Sequence, residues 1–250
     1  MRFKIILLGL ISFLIAVIAT IPIAFVLPFL PEKIPVRLTE ASGTVWKGQA
    51  TSLYYKNIAL GQVHWEIHPL AIFMGRLRSD LIITGDKVQL NSLVDVHWDK
   101  SVQLSQTHAE FDADFLQNFK KIPIKLGGRF NADMTSVLIK AQQLPLMEGQ
   151  LKWLKGSTVT PIAVELGNYT LALTVLNDAQ QGSISSHDAP LDLQGKLSLD
   201  QQGNYQTKLK IKAKQDAPAL LQTGITSLGK VANDGFIPLN QKGNIYKLLP

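Results

Sequence analysis

The 250-residue sequence has no cysteine, which excludes disulfides and thiolate metal sites and leaves burial as the source of stability. It also lacks a Gly-rich loop ending in Lys-Ser/Thr and a Gly-x-Ser-x-Gly turn, so the usual marks of phosphate-cradling and serine-nucleophile enzymes are missing. No nucleophile and base stand in a recognisable arrangement. The sequence therefore predicts a protein that is not an enzyme and has no cofactor, no catalytic residues and no bound metal. Charge is modest too. Setting aside Arg2 and Lys4, 23 basic residues face 19 acidic ones, too mild an excess to imply nucleic acid.

The most uneven absence is that residues 5–31 carry no charged side chain at all. A helix crossing a bilayer needs roughly 20 apolar residues, and residues 5–30 supply them. Arg2 and Lys4 precede the run without an acidic neighbour, which by the positive-inside rule places residues 1–4 in the cytoplasm and residues 32–250 in the periplasm. Pro22 and Pro28 weaken a helix interior, so the regular helix is expected over residues 4–21 with a bent or extended exit. A cleaved signal peptide is the competing reading, because a charged start and small residues near positions 17–19 fit that template. Against it, the apolar run continues through Ile23, Ala24, Phe25, Val26 and Leu27, beyond the roughly 7–15 residues of a signal core.

Past Pro31 the pattern changes to period two, the mark of strands with one buried face. Val63, Trp65 and Ile67 alternate with His64, Glu66 and His68, and Leu209, Ile211 and Ala213 alternate with Lys208, Lys210, Lys212 and Lys214. Other strands are expected at 49–56, 77–84, 87–96, 100–110, 128–140, 149–155, 159–165, 168–176, 191–199 and 243–248. Two short helices interrupt them: one capped by Asp112 or Asp114 and running through Phe115, Leu116 and Phe119, unless this acidic stretch continues a strand, the other capped by Asp216, with Pro218 in its first turn, Leu221, Ile225 and Leu228 at helical spacing, and the helix laid on the sheet. Residues 180–188, rich in Gln, Gly and Ser, read as a hinge or exposed loop. The fold class is mainly β: one N-terminal transmembrane helix, then a periplasmic antiparallel β-sheet domain over residues 32–250 with one or two short helices.

The chemistry-bearing side chains have bland explanations. His64 and His68 are four apart, about 13 Å along a strand, too far to share an ion. His108, Glu110, Asp112 and Asp114 alternate with apolar residues; carboxylates suit hard cations, but without the turn geometry and glycine of a cation loop the row reads as a solvated strand face. The Lys208, Lys210, Lys212, Lys214 row suits anionic lipid headgroups or an acidic partner, but guarding an exposed edge strand is the commoner role. Trp46, Trp65, Trp98 and Trp153 are expected in core packing.

Several segments, in order, carry a resemblance. Ser42-Gly43-Thr44-Val45-Trp46-Lys47-Gly48, soon after a single anchor, resembles the Gly-x-x-Trp-x-Gly signature of type II secretion system protein N. Val63-His64-Trp65-Glu66-Ile67-His68-Pro69-Leu70, continuing to Gly75-Arg76-Leu77, is similar to that family's second signature. So are the stretch from Gly149 through Trp153 to Gly156, Leu166-Gly167-Asn168-Tyr169-Thr170-Leu171, and Leu191-Asp192-Leu193-Gln194-Gly195-Lys196-Leu197 with Gly203-Asn204-Tyr205. The motif residues Gly43, Trp46, Gly48, Trp65, His68, Pro69, Leu70, Gly75 and Arg76 suit a structural role, glycines allowing tight backbone approach and tryptophans anchoring strands. The resemblance implies a single-pass subunit of the inner membrane that works with other type II secretion subunits by interaction or assembly, in protein export across the outer membrane. Gly-x-x-Trp-x-Gly also occurs in AsmA-like envelope proteins, so the alternative is a periplasmic lipid-binding or lipid-transfer module, with lipid contact as its partner.

Overall fold

The computed structural model describes residues 2–29, 35–118 and 123–247, and these divide into two compact units, Met1–His97 and Trp98–Pro250. The first begins with helix α1, Arg2–Ala19, followed by the short helix α2, Ile23–Val26, and a 3₁₀ turn, Leu27–Phe29. This matches the expected helix with a bent exit. The segment's last expected residue, Leu30, lies outside the described residues. Every described α1 side chain is exposed. Among the described residues no helix is long and apolar enough to cross a membrane; α1 has 18 residues, about 27 Å of rise against a hydrocarbon core of about 30 Å.

Five antiparallel strands follow as a meander: β1, Val36–Gly43; β2, Lys47–Tyr55; β3, Ile58–His68; β4, Arg76–Thr84; and β5, Val88–His97. Directly paired residues share a face, and the register lines up Ala41, Ala50, Val63, Ile83 and Leu90 as one apolar row. Ala50, Val63 and Ile83 are the buried centre of that row and cluster with the buried Leu53, and Trp65 and Leu81 pack against them.

The second unit is also a sequential meander, of eight strands: β6, Val102–Asp112; β7, Lys125–Ile139; β8, Leu146–Thr160; β9, Val164–Leu176; β10, Ala179–His187; β11, Leu191–Leu199; β12, Asn204–Ala213; and β13, Ile237–Asn244. Helix α3, Ala219–Thr226, lies between β12 and β13 in sequence. Its Ile225 packs with Leu191, Ile211 and Ile237 in a buried cluster, so this helix does lie on the sheet. At the other end of the unit Phe111, Phe130, Trp153 and Tyr169 stand in one cross-strand row, with ring centroids 5.2, 5.6 and 6.0 Å apart. Burial in this row pushes the Tyr169 phenol above its ordinary pKa.

The sequence pattern misplaced several elements. Residues 180–188 are largely strand β10, not a loop: Gln180 is buried, and its amide accepts from the Met147 N–H at 2.7 Å and donates to the Met147 carbonyl at 2.8 Å, which holds a polar stretch inside the sheet. Residues 159–165 are not one strand, because β8 ends at Thr160 and β9 starts at Val164. The strand expected at 243–248 lies earlier, as β13, and runs into a 3₁₀ turn at Ile245–Lys247; residue 248 is outside the described residues. The helix expected from Asp112 is a 3₁₀ helix, Ala113–Asn118, and Asp112 itself closes β6; Phe119 is outside the described residues. Pro218, not Asp216, stands at the N-cap of α3, since its fixed φ suits a helix start.

Candidate functional site

The family-like residues of the first unit gather at one end of its sheet. The turn between β1 and β2 is tied to α1 and its exit by three contacts. Pro22 bridges Thr44, the Val45 N–H donates to the Ile21 carbonyl at 3.0 Å, and the Trp46 indole Nε1 donates to the Ile18 carbonyl at 2.8 Å. A helix leaves its last four carbonyls without intrahelical partners. Trp46 supplies one for α1, while Thr20 returns through its Oγ1 to the Ala16 carbonyl at 2.8 Å. Trp46 is thus a bond between helix and sheet more than a core residue.

Gly43 and Gly48 face each other across the hairpin, and both must be glycine. Gly43 has φ +95°, and a Cβ there would sit 2.6 Å from the Lys47 carbonyl oxygen. A Cβ on Gly48 would come within 2.4 Å of the Trp65 ring, because Trp65 on β3 lies flat over that position. The Trp65 Nε1 then reaches the Val45 carbonyl at 3.1 Å. Trp65 therefore holds the turn to β3, while Trp46 carries the turn's bond to α1.

The second group continues directly from this clasp. The Ile67 N–H donates to the Trp46 carbonyl, and the next residues leave the sheet. His68 caps a 3₁₀ helix, Pro69–Met74, in which Pro69 holds the first turn and Gly75, at φ 76°, turns the chain back into β4. Ala71 is buried beneath it, while Leu70, Phe73 and Met74 are 78 %, 88 % and 71 % exposed.

Below the turn lies a charged set in which the expected His68 and Arg76 meet Arg78, Asp80 and Asp95, which sequence reasoning missed. Arg78 donates to Asp95 through Nε at 2.9 Å and Nη2 at 2.8 Å, and Arg76 Nε stands 3.6 Å from Asp95 Oδ1. His68 Nε2 is 2.7 Å from Asp80 Oδ2. The Arg78 hydrogen bonds hold the Asp95 carboxyl below its ordinary pKa despite burial, and the pairing raises that of Arg78. A carboxylate within the run Leu93-Val94-Asp95-Val96 was the available signal, since a buried charge demands a partner.

The motif-like positions of the second unit repeat part of this device. Trp153 covers Gly156, where a Cβ would approach its ring to 2.7 Å, and its Nε1 donates to the Gly127 carbonyl at 3.0 Å. Trp98, by contrast, is 73 % exposed and belongs to no core. His108, Glu110 and Asp112 form a solvated strand face, with His108 2.7 Å from Asp133 and Arg129 reaching Asp112, whereas Asp114 has left the strand for the 3₁₀ helix and has one carboxylate oxygen buried. The lysines of β12 do not guard an edge: β11 and β13 pair with β12 on either side, and Lys196 stands directly opposite Lys208. Among the described residues no group of acidic and imidazole side chains could hold a metal ion.

The sequence model of the family described as type II secretion system (T2SS), protein N, matches residues 35–240. The chain is 24 % identical over 242 residues to the type II secretion system protein N of Vibrio cholerae serotype O1 (strain ATCC 39315 / El Tor Inaba N16961), across 92 % of this chain and 93 % of that protein. To the protein of the same name from Pectobacterium carotovorum subsp. carotovorum it is 21 % identical over 211 residues, across 83 % and 84 %. No solved structure matches the chain.

Proposed function

The chain belongs to the type II secretion system protein N family, and from that premise we propose that it is a non-enzymatic inner-membrane subunit of the type II secretion pathway. It acts in protein export by contact with other subunits of that machinery. Residues 1–4 stay in the cytoplasm, residues 5–30 anchor the chain by a single span, and residues 32–250 work in the periplasm. What supports the anchor is the character of α1: Phe3, Leu8 and Phe13 point out on different sides at 77 %, 66 % and 66 % exposure. A helix apolar all round belongs in a core or in lipid. The roughly two residues by which α1 falls short are offset by the apolar segment after it and by Arg2 and Lys4 before it.

The observation that carries the reading is the Trp46 bond to the last turn of α1, which fastens the strand-forming part to the apolar helix. In this account the motif residues Gly43, Trp46, Gly48, Trp65, His68, Pro69, Gly75 and Arg76 hold that joint, the exposed Leu70 projects from it, and none of them does chemistry. Deleting the gene tests the function. Type II substrates should accumulate, folded, in the periplasm and return to the medium on complementation; normal secretion without a second copy of the gene would contradict the proposal.

A lipid-binding module is the second reading, favoured by the half-buried row of Phe111, Phe130, Trp153 and Tyr169 on a face that α3 covers only at β11–β13. Native mass spectrometry of the full chain released from detergent would reveal co-purified lipid beyond detergent-exchangeable levels; its absence would remove this reading.

A further inference from the structure

We infer that the 3₁₀ knuckle of Leu70, Phe73 and Met74 is a second membrane contact, seated in the outer-facing leaflet of the bilayer that holds α1. This rests on the anchor reading above and adds to it a second point of attachment. Isolated exposed apolar residues are ordinary, but here three large ones fall within five positions of a turn only six residues long. In a 3₁₀ helix residues three apart eclipse, so Leu70 and Phe73 project together. Ala71 fixes the base of the turn in the sheet, and Pro69 and Gly75 fix its two ends. The knuckle is therefore built to present these side chains rigidly.

Its position names the occupant. The chain of bonds runs without a gap from α1 to the knuckle: Ile18 carbonyl to Trp46 indole, Trp46 carbonyl to Ile67 N–H, and then His68 and the 3₁₀ helix. The β1–β2 turn and the β3–β4 turn lie at the same end of the sheet, because Lys47 at the start of β2 pairs with Glu66 near the end of β3. A membrane that receives α1 up to Ala19 consequently lies close to Leu70 and Phe73. The segment between, with Phe25 at 70 % and Phe29 at 85 % exposure, adds aromatic side chains of the kind that favour the bilayer interface. At the two ends of the turn His68 stands 2.7 Å from Asp80 and Arg76 lies 3.6 Å from Asp95, so a carboxylate accompanies each basic side chain there. Two fixed points, one helix and one knuckle, would stop the sheet from swinging about a single stalk.

The absence of native cysteine makes the test direct. Single-cysteine full-length chains Phe73→Cys, Leu14→Cys and Asp86→Cys carry an environment-sensitive fluorophore and are reconstituted in phosphatidylcholine vesicles. Asp86 lies in the β4–β5 turn, at the opposite end of the same sheet, and serves as the aqueous reference. The expected result is a blue-shifted emission at 14 and 73, lost when lipids bearing a nitroxide in the acyl region are included, with position 86 unaffected. Quenching at 14 but not 73 overturns the knuckle while leaving the anchor standing; quenching at neither removes both. A blue shift at 73 that nitroxide lipid does not quench, but that dilution of the protein abolishes, would assign the knuckle to a second copy of the chain and overturn the membrane contact. Adding Leu70→Ser and Met74→Ser to the Phe73→Cys chain should reduce its quenching severalfold without changing that of Leu14→Cys.

Discussion

Both units pin a tryptophan onto a glycine, yet only one of them is joined to a helix of exposed apolar residues. In the first, Trp65 covers Gly48 on the neighbouring strand and donates to Val45; in the second, Trp153 covers Gly156 and donates to Gly127. The shared part is a packing device. What differs is the company: Trp153 stacks with Phe130 and Tyr169 in a row across the sheet, whereas Trp65 works beside Trp46, which reaches out of the sheet to Ile18. The motif residues that carry attachment are thus separable from those that carry folding.

The comparison breaks most sharply at the Arg78–Asp95 pair of the first unit. Replacing Arg78 with Ala takes both of its hydrogen bonds from Asp95, whose side chain is 3 % exposed, and leaves it Arg76 at 3.6 Å; the loss should cost about 3 kcal/mol of stability, read by urea denaturation. The pair also predicts a pH dependence. Because the folded pKa of Asp95 is depressed, its stabilising share is complete above the ordinary value of 3.8 and is lost as the pH falls through the folded value below it. Asp95→Asn should flatten that acid limb of the stability curve.

Gly48→Ala and Gly156→Ala test the shared device. Each forces a methyl into a tryptophan ring, at about 1–3 kcal/mol. Equal losses with secretion affected only by their common instability would support a purely structural role for both glycines. Trp46→Phe should separate the units: it forfeits one hydrogen bond, about 0.5–1.5 kcal/mol, yet speeds amide exchange in the last turn of α1 and leaves the second unit untouched. The smallest effect is expected at the opposed lysines of β11 and β12. Lys196→Gln relieves a like-charge pair and should stabilise by less than about 1 kcal/mol in a thermal melt.

The strands were legible where apolar and polar residues alternate over several positions, as Val63, Trp65 and Ile67 or Leu209, Ile211 and Ala213 do; β1 and most of β13, whose buried faces rest on Leu38 and Ala41 or Ile237 and Leu239, were not. Strand β10 was not, because its polar residues are satisfied by Met147 and by the neighbouring strands, partners distant in sequence. The lysine row was read correctly as a strand face but assigned to an edge, since pattern alone does not say which strand lies outermost. The close approaches at Gly43 and Gly48 agree with reading these glycines as places of tight backbone contact. The bond from Trp46 to Ile18 was not legible: an indole's partner 28 positions away is a backbone carbonyl, which leaves no trace in residue identity.

The central claim is that α1 remains in the inner membrane with both sheet units on its periplasmic side. Alkaline phosphatase and green fluorescent protein, fused in parallel after the C-terminus of the full chain, test it in living cells. The account predicts a phosphatase that is active and stays with the membrane fraction, and a fluorescent fusion that is dark. Bright fluorescence with inactive phosphatase would place the sheets in the cytoplasm and contradict it.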